Sequence, residues 1–159
     1  MPLLTIEQCR RQCRVDGNYD DALLGDLLAS SEDAASAYLN RAIFSDEAAF
    51  DAALTAMPGS AAANMLAYNN AVAAAALESD PTKAAVMTAI AEGRLAAQGM
   101  AQERILSGIV ANGSILVAIR LTLGHLYANR EEVVIGASVA ELPMGAKAFL
   151  RHYRKVMGP

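Results

Sequence analysis

Residues 60–83 read SAAANMLAYNNAVAAAALESDPTK, and this stretch decides the fold. Alanine loses no side-chain entropy in a helix, so an alanine-rich run of this length is almost pure helix former. The run is interrupted at Ser79-Asp80-Pro81. Asp80 is a good N-cap, and Pro81 suits the first helical position, where no N–H is needed. One helix over about 60–78 and a second from 81 to about 109 therefore form an antiparallel hairpin with its tip near Asp80. Val86, Ile90, Leu95, Ile105 and Leu106 are the apolar contacts expected of the second helix. Gly93, Gly99 and Gly108 weaken that helix by up to ~1 kcal/mol each relative to alanine, and they permit close helix crossing.

Working outward, every other long segment also has helical spacing. Thr5-Ile6-Glu7-Gln8 is a capping-box sequence that opens a short helix, with Cys9 and Cys13 on its apolar side. Asp16-Gly17-Asn18 ends it with turn residues. Asp20 or Asp21 caps a longer helix, in which Leu23, Leu24, Leu27, Leu28, Ala35, Tyr38, Leu39 and Ala42 recur at helical intervals. Ser45-Asp46 marks a new start, Ala49, Phe50, Ala53, Leu54 and Met57 share a face, and Pro58-Gly59 is expected to stop the chain. After Asn112-Gly113, Ser114 caps the most hydrophobic helix, with Ile115, Leu116, Ile119, Leu123, Leu126 and Tyr127. Val133-Val134-Ile135 reads as a short extended piece. Leu142-Pro143 opens a last helix that turns Ala146, Phe149, Leu150 and Tyr153 inward. The fold class is all-α: a helical bundle with a projecting long antiparallel hairpin. Its expected core is Leu27, Leu28, Leu116, Ile119, Leu123, Leu126, Tyr127, Phe149 and Leu150.

Composition narrows the function classes. Hydrophobic residues make up 54% of the 159, much of it alanine, and aromatics only 5%. Alanine buries little area, so such helices gain little each, and neighbouring subunits are a natural source of further stability. No apolar run reaches the roughly 18 residues a membrane span needs. The net charge of −4 is unlike that of a strongly basic nucleic-acid binder. Residues 1–113 hold seven basic and fourteen acidic side chains, whereas residues 114–159 hold six basic and three acidic. That asymmetry suits head-to-tail or protein–protein contact, and it equally describes a plain solvated surface.

Catalytic patterns are missing. His125 and His152 stand outside any metal-ligand spacing, and no glycine-rich phosphate loop is present. Cys9 and Cys13 sit one helical turn apart, where a disulfide is strained; two reduced thiols are the simpler reading. Asp16, Asp20 and Asp21 lack the alternation of a calcium loop. No cofactor, metal or catalytic residue is therefore assigned, and the chain reads as a non-enzyme. Arg10, Arg11 and Arg14 offer at most a weak basic face for a small helical protein- or DNA-binding regulator, the main alternative reading.

The C-terminal third carries a resemblance. The helix ending in His125, Tyr127, Asn129, Arg130 and Glu131, and the Leu142-Pro143-x-Gly145 turn leading to Tyr153 and Arg154, resemble the phage head–tail connector (adaptor) family. Leu4-Thr5-Ile6-Glu7-Gln8, Arg14-Val15-Asp16 and Asp20-Asp21-Ala22-Leu23-Leu24 resemble its opening helix, turn and second helix. The likeness covers about 3–45 and 114–155. Where compact members have a short, partly extended link, this chain carries the alanine-rich insert of about 46–113, as longer prophage members do. One domain, with the hairpin inserted into it, is what the resemblance implies. It further implies a homo-oligomeric ring of about twelve copies, a closed heterologous assembly in which one face meets a different face of the next copy. Such a ring docks on the phage portal protein and receives a tail-side head-completion or tail protein. It passes dsDNA transiently through its channel and contacts no membrane. It belongs to the virion at the head–tail junction, after synthesis in the bacterial host cytoplasm. Arg130, Arg151, Tyr153, Arg154 and Lys155 are the expected portal contacts. The hairpin projects from the ring, stacks against neighbours, or both.

Overall fold

The computed structural model describes residues 2–129 and 145–156. The expected extended piece at Val133-Val134-Ile135, the Leu142-Pro143 turn, Glu131 and Arg130 lie outside the described residues. In chain order the elements are α1 (Ile6–Cys13), α2 (Asp21–Leu39), β1 (Ile43–Phe44), α3 (Glu47–Ala76), α4 (Pro81–Leu106), β2 (Ile109–Val110), α5 (Gly113–Ala128) and α6 (Gly145–Leu150). A 3₁₀ turn, Arg151–Tyr153, follows α6. Among the described residues the protein is thus all-helical apart from one two-stranded pair. It divides into two compact units, Met1–Asp46 with Ile109–Pro159, and Glu47–Gly108.

The first unit is a bundle in which α2 packs on α5, α1 lies against both, and α6 packs on α5. Leu24, Leu28, Ala35 and Leu39 on α2 meet Ile115, Ala118, Ile119 and Leu123 on α5, with Leu4, Cys9 and Leu150 completing the buried cluster. Each fully buried Leu or Ile contributes about 1.5–3 kcal/mol. Ser31, buried among them, is satisfied by donating to the Leu27 carbonyl at 2.7 Å. Gly124 marks a close crossing: a Cβ there would meet Nε2 of Gln12 from α1 at 3.3 Å.

Of the expected core, Leu28, Ile119, Leu123 and Leu150 are buried, and Leu27, Leu116 and Tyr127 pack half-buried against the cluster. Leu126 is half-buried. Phe149 departs from expectation and stands 42% exposed. Ala146 and Leu150 of α6 and Tyr153 of the following turn pack in the cluster, and Phe149 lies at its margin.

Helix ends follow local chemistry in part. Thr5 and Gln8 form the reciprocal capping box, and α1 stops at Arg14 in the left-handed conformation (φ 56°). Asp80 caps α4 by accepting from the N–H of Thr82 at 2.8 Å and of Lys83 at 3.3 Å. Two caps differ from expectation. Asn112, not Ser114, caps α5 by accepting from the Ile115 N–H at 3.1 Å. Asp20 occupies the N-cap of α2 but makes no side-chain cap bond. Its carboxylate instead accepts from the Tyr127 hydroxyl at 2.6 Å, and Asp21 pairs with Arg10. Both acids tie the start of α2 to other helices, which a local cap does not do.

β1 and β2 were not anticipated. They pair in parallel, Ile43 with Ile109 and Phe44 with Val110, at the points where the chain leaves and re-enters the first unit. β-Branched and aromatic dipeptides suit such a clasp.

The second unit is the hairpin of α3 and α4. α3 runs unbroken through Pro58, against the expected stop. Pro58 is exposed, and Leu54, Met57 and Ala61 keep one face in register across it. The lost N–H is tolerated within so strong a helix-forming sequence. Burial recurs at steps of three and four through Leu54, Met57, Ala61, Asn64, Tyr68, Ala71 and Ala75. It recurs in the same way through Ala84, Thr88, Ala91, Leu95, Gln98, Gln102 and Ile105. That is coiled-coil spacing. The seam mixes alanine and uncharged polar residues with half-buried Leu54, Met57, Tyr68, Leu95 and Ile105, of which Leu95 and Ile105 were expected as contacts. The larger apolar side chains Val86, Ile90 and Leu106, expected as contacts, are exposed.

Candidate partner-binding surface

The end of the first unit carries a fixed basic segment. α2 closes at Asn40 in the left-handed conformation (φ 53°), which turns the chain so that Arg41 follows at once. Arg41 donates through Nη1 to the Tyr153 carbonyl at 3.3 Å. The backbone N–H of Lys155 donates to the Leu39 carbonyl, one of the orphan acceptors at the end of α2, at 2.9 Å. The Arg154 guanidinium lies over the Tyr38 ring, 5.2 Å from its centroid, a cation–π contact worth about 0.5–1 kcal/mol at an exposed site. Three ties therefore strap residues 153–155 across the end of α2. Tyr153 is half-buried, while Arg151, His152, Arg154 and Lys155 are exposed. The cationic groups are held outward on an anchored backbone, beside Val156 at 82% exposure.

Four of the five residues expected to contact a partner are thus brought together; the fifth, Arg130, lies outside the described residues. The sequence reading put Tyr38 on the apolar stripe of α2 and gave neither it nor Arg41 a part in this surface. Their spacing across the α2 terminus was visible, but the C-terminal segment that they receive is more than a hundred positions away. What the strap can do is bind, by presenting positive charge and one apolar side chain to an acidic, partly apolar surface.

The remaining candidates have structural explanations. Cys9 is fully buried and Cys13 partly so, both as free thiols. Burial pushes both thiols above their ordinary range, and for Cys9 the neighbouring Cys13 and Glu32 add to it. That favours the unreactive protonated form. His125 meets the Asn129 amide through Nδ1 at 2.8 Å, one turn away on the same helix. Arg10 is engaged by both oxygens of Asp21. Arg11 faces Glu7 at 3.3 Å, and Arg14 is the left-handed C-cap of α1. Of the basic face that a DNA-reading helix would use, Arg10 is thus paired with α2 and Arg11 faces an acid on α1. Among the described residues no group of three or more His, Cys, Asp or Glu is placed to hold a metal. No described helix is long and apolar enough to cross a membrane.

Comparison with known proteins gives one match. The family model described as phage gp6-like head-tail connector protein matches residues 4–103. The match takes in α1, α2 and most of the hairpin, so the alanine-rich segment lies within the family pattern; α5 and the strap lie beyond it. No curated protein and no solved structure matches the chain.

Proposed function

Because the chain belongs to the phage gp6-like head–tail connector family, we propose that it serves as one subunit of a ring that docks on the portal and extends the DNA channel. The tail-side face of that ring receives the next head-completion or tail protein, and its place is the head–tail junction of the virion. The role is one of geometry and contact, without bond-making chemistry. The observation that carries the docking step is the strap: cationic side chains on a backbone pinned to α2 in a chain of net charge −4. A preorganised patch loses little further entropy on binding. The acidic balance elsewhere suits a conduit, since extensive phosphate neutralisation would hold the genome in place.

The test mixes the purified protein with its portal and examines the product by native mass spectrometry and negative-stain microscopy. Rings of this chain on the portal are expected. The double variant Arg151→Glu with Lys155→Glu should lose portal binding by at least tenfold with unchanged circular dichroism. Arg154 is left in place because it also covers Tyr38. A protein that stays monomeric with portal at micromolar concentration refutes the reading. Undiminished binding by the double variant removes the strap from it.

A further inference from the structure

The two helices of the hairpin are weakest at the same height. From the tip, the inward series of α3 runs back from Ala75 to Leu54 and that of α4 runs on from Ala84 to Ile105, both stepping by four and three in alternation. Antiparallel helices with matching steps keep their seam residues level along the whole contact. Ala75 therefore stands level with Ala84, Ala61 with Gln98, and Met57 with Gln102. The interval between Met57 and Ala61 on α3 holds Pro58, Gly59 and Ser60; the facing interval on α4 holds Gly99, Met100 and Ala101.

Three separate features soften this height. On α3, Pro58 has no N–H to give the Leu54 carbonyl one turn back. The Ser60 hydroxyl donates to the Met57 carbonyl at 2.9 Å, a side-chain bond to the helix's own backbone of the kind that bends helices. On both helices a glycine stands where alanine would fit. A Cβ at Gly59 or Gly99 would meet nothing within 4 Å, and neither has a positive φ. The close crossing expected of Gly99 is thus not what it serves, and what both glycines add is backbone freedom in a chain otherwise rich in alanine. Gly93 is as open, but the residue level with it is Leu66, within unbroken helix. Finally, two consecutive seam positions of α4 at this height are glutamines, Gln98 and Gln102.

We infer that residues 58–60 and 99–101 form a hinge across both helices, about which the outer part of the hairpin, 61–98, bends as one piece while α3 and α4 stay helical. Proline and Gly/Ser pairs are the usual sites of helix kinks, and hinges are a few residues that absorb a change of backbone angle. The outer part is about 25 Å long at 1.5 Å per residue. A bend of about 20° at its base carries the tip roughly 8–9 Å. The hairpin can therefore follow the surface of a partner, or give way to it, without loss of helix. The hinge belongs to the hairpin alone and stands whether or not the ring forms.

The experiment compares the full chain with the triple variant Pro58→Ala, Gly59→Ala, Gly99→Ala by two measurements. In amide hydrogen exchange, protection at 59–63 and 99–103 should be at least tenfold lower than at 66–72 and 86–92 in the parent. The triple variant should erase that difference and melt higher, since alanine fits all three positions. Electron–electron double resonance then separates bending from local fraying. Spin labels go on Asp51→Cys and Thr82→Cys, exposed positions on either side of the hinge, with Cys13→Ser to remove the half-buried native thiol. The spread of distances should be at least twice as wide in the parent as in the triple variant. Ala63→Cys with Thr82→Cys, both in the outer part, should give the same narrow spread in each. Even protection across 58–60 and 99–101, equal spreads for the pair that spans the hinge, or a triple variant that melts below the parent overturns the hinge.

Discussion

Leu123 is the most informative single position in the first unit. It is fully buried on α5, in the cluster that joins α1, α2, α5 and α6. Leu123→Ala removes three carbon groups from that site. Their transfer alone accounts for about 2.4 kcal/mol, at roughly 0.8 kcal/mol per group. The void left behind adds to this, since the neighbouring Ile119 and Leu24 are themselves fully buried and have little room to collapse. A total of about 3–4 kcal/mol follows, within the range of buried Leu→Ala substitutions. That is a large share of the 5–15 kcal/mol by which a typical domain is stable.

Urea unfolding followed by circular dichroism measures the loss. With a slope of about 1.5 kcal/mol per molar urea, the midpoint should fall by roughly 2 M. Hydrogen exchange read on peptides from α5 assigns the shifted transition to the first unit. Tyr19→Ala is the control, because Tyr19 is 94% exposed and its replacement should change stability by no more than about 0.5 kcal/mol. If Leu123→Ala shifts the midpoint no further than Tyr19→Ala does, α5 is not the centre of the core and the packing argument fails.

Two further outcomes follow from the ties around α2. Tyr127→Phe removes the hydroxyl that donates to Asp20 and should cost about 1 kcal/mol in the same urea assay, without loss of helix content. The Arg10–Asp21 pair predicts a pH dependence. Its hydrogen bond to Arg10 lowers the Asp21 carboxyl below the usual carboxylate range, with the guanidinium charge acting in the same direction. A depressed folded-state value means that the stabilisation is fully present above the unfolded value, near pH 4, and is lost as the pH falls through the folded one. Thermal melts of the parent should therefore decline more steeply below pH 4 than those of Asp21→Asn; parallel declines would show that the pair contributes nothing.

What was legible in the sequence was what is local. Thr5 and Gln8 lie three residues apart, and Asp80 directly precedes Pro81, so both helix starts could be read from the residues that make them. The breaks misread were those decided at a distance. Asp20 looks like a cap until Tyr127, 107 positions later, takes its carboxylate. The strap was half legible: its positive charges stood out in the sequence, but the Tyr38 ring, the Leu39 carbonyl and the Arg41 side chain that fix it come from the end of α2 and the residues just after it. Pro58 was read as a stop because proline removes a donor, and the strength of the surrounding helix outweighed that loss. Ile43-Phe44 and Ile109-Val110 are too short to carry a strand pattern, and become one only when the chain brings them side by side.

The hairpin shows why hydrophobicity alone picked Leu95 and Ile105 correctly and Val86, Ile90 and Leu106 wrongly as contacts of α3. Val86 and Ile90 were expected against α3 because large apolar side chains are normally turned inward. Yet α4 has two stripes of the same period, and periodicity gives the angle between them without saying which one α3 occupies. The stripe of α4 that meets α3 is that of Ala91, Leu95 and Ile105, which leaves Val86 and Ile90 outside. The consequence is energetic as well as geometric. Only two alanines of the seam are fully buried and its larger apolar side chains are half-buried, so the hairpin gains less from its own packing than the first unit gains from its fully buried leucines and isoleucines. An apolar face held outward on so lightly buried a pair of helices stabilises the isolated chain very little, and its contribution becomes large only when a second face of matching size covers it.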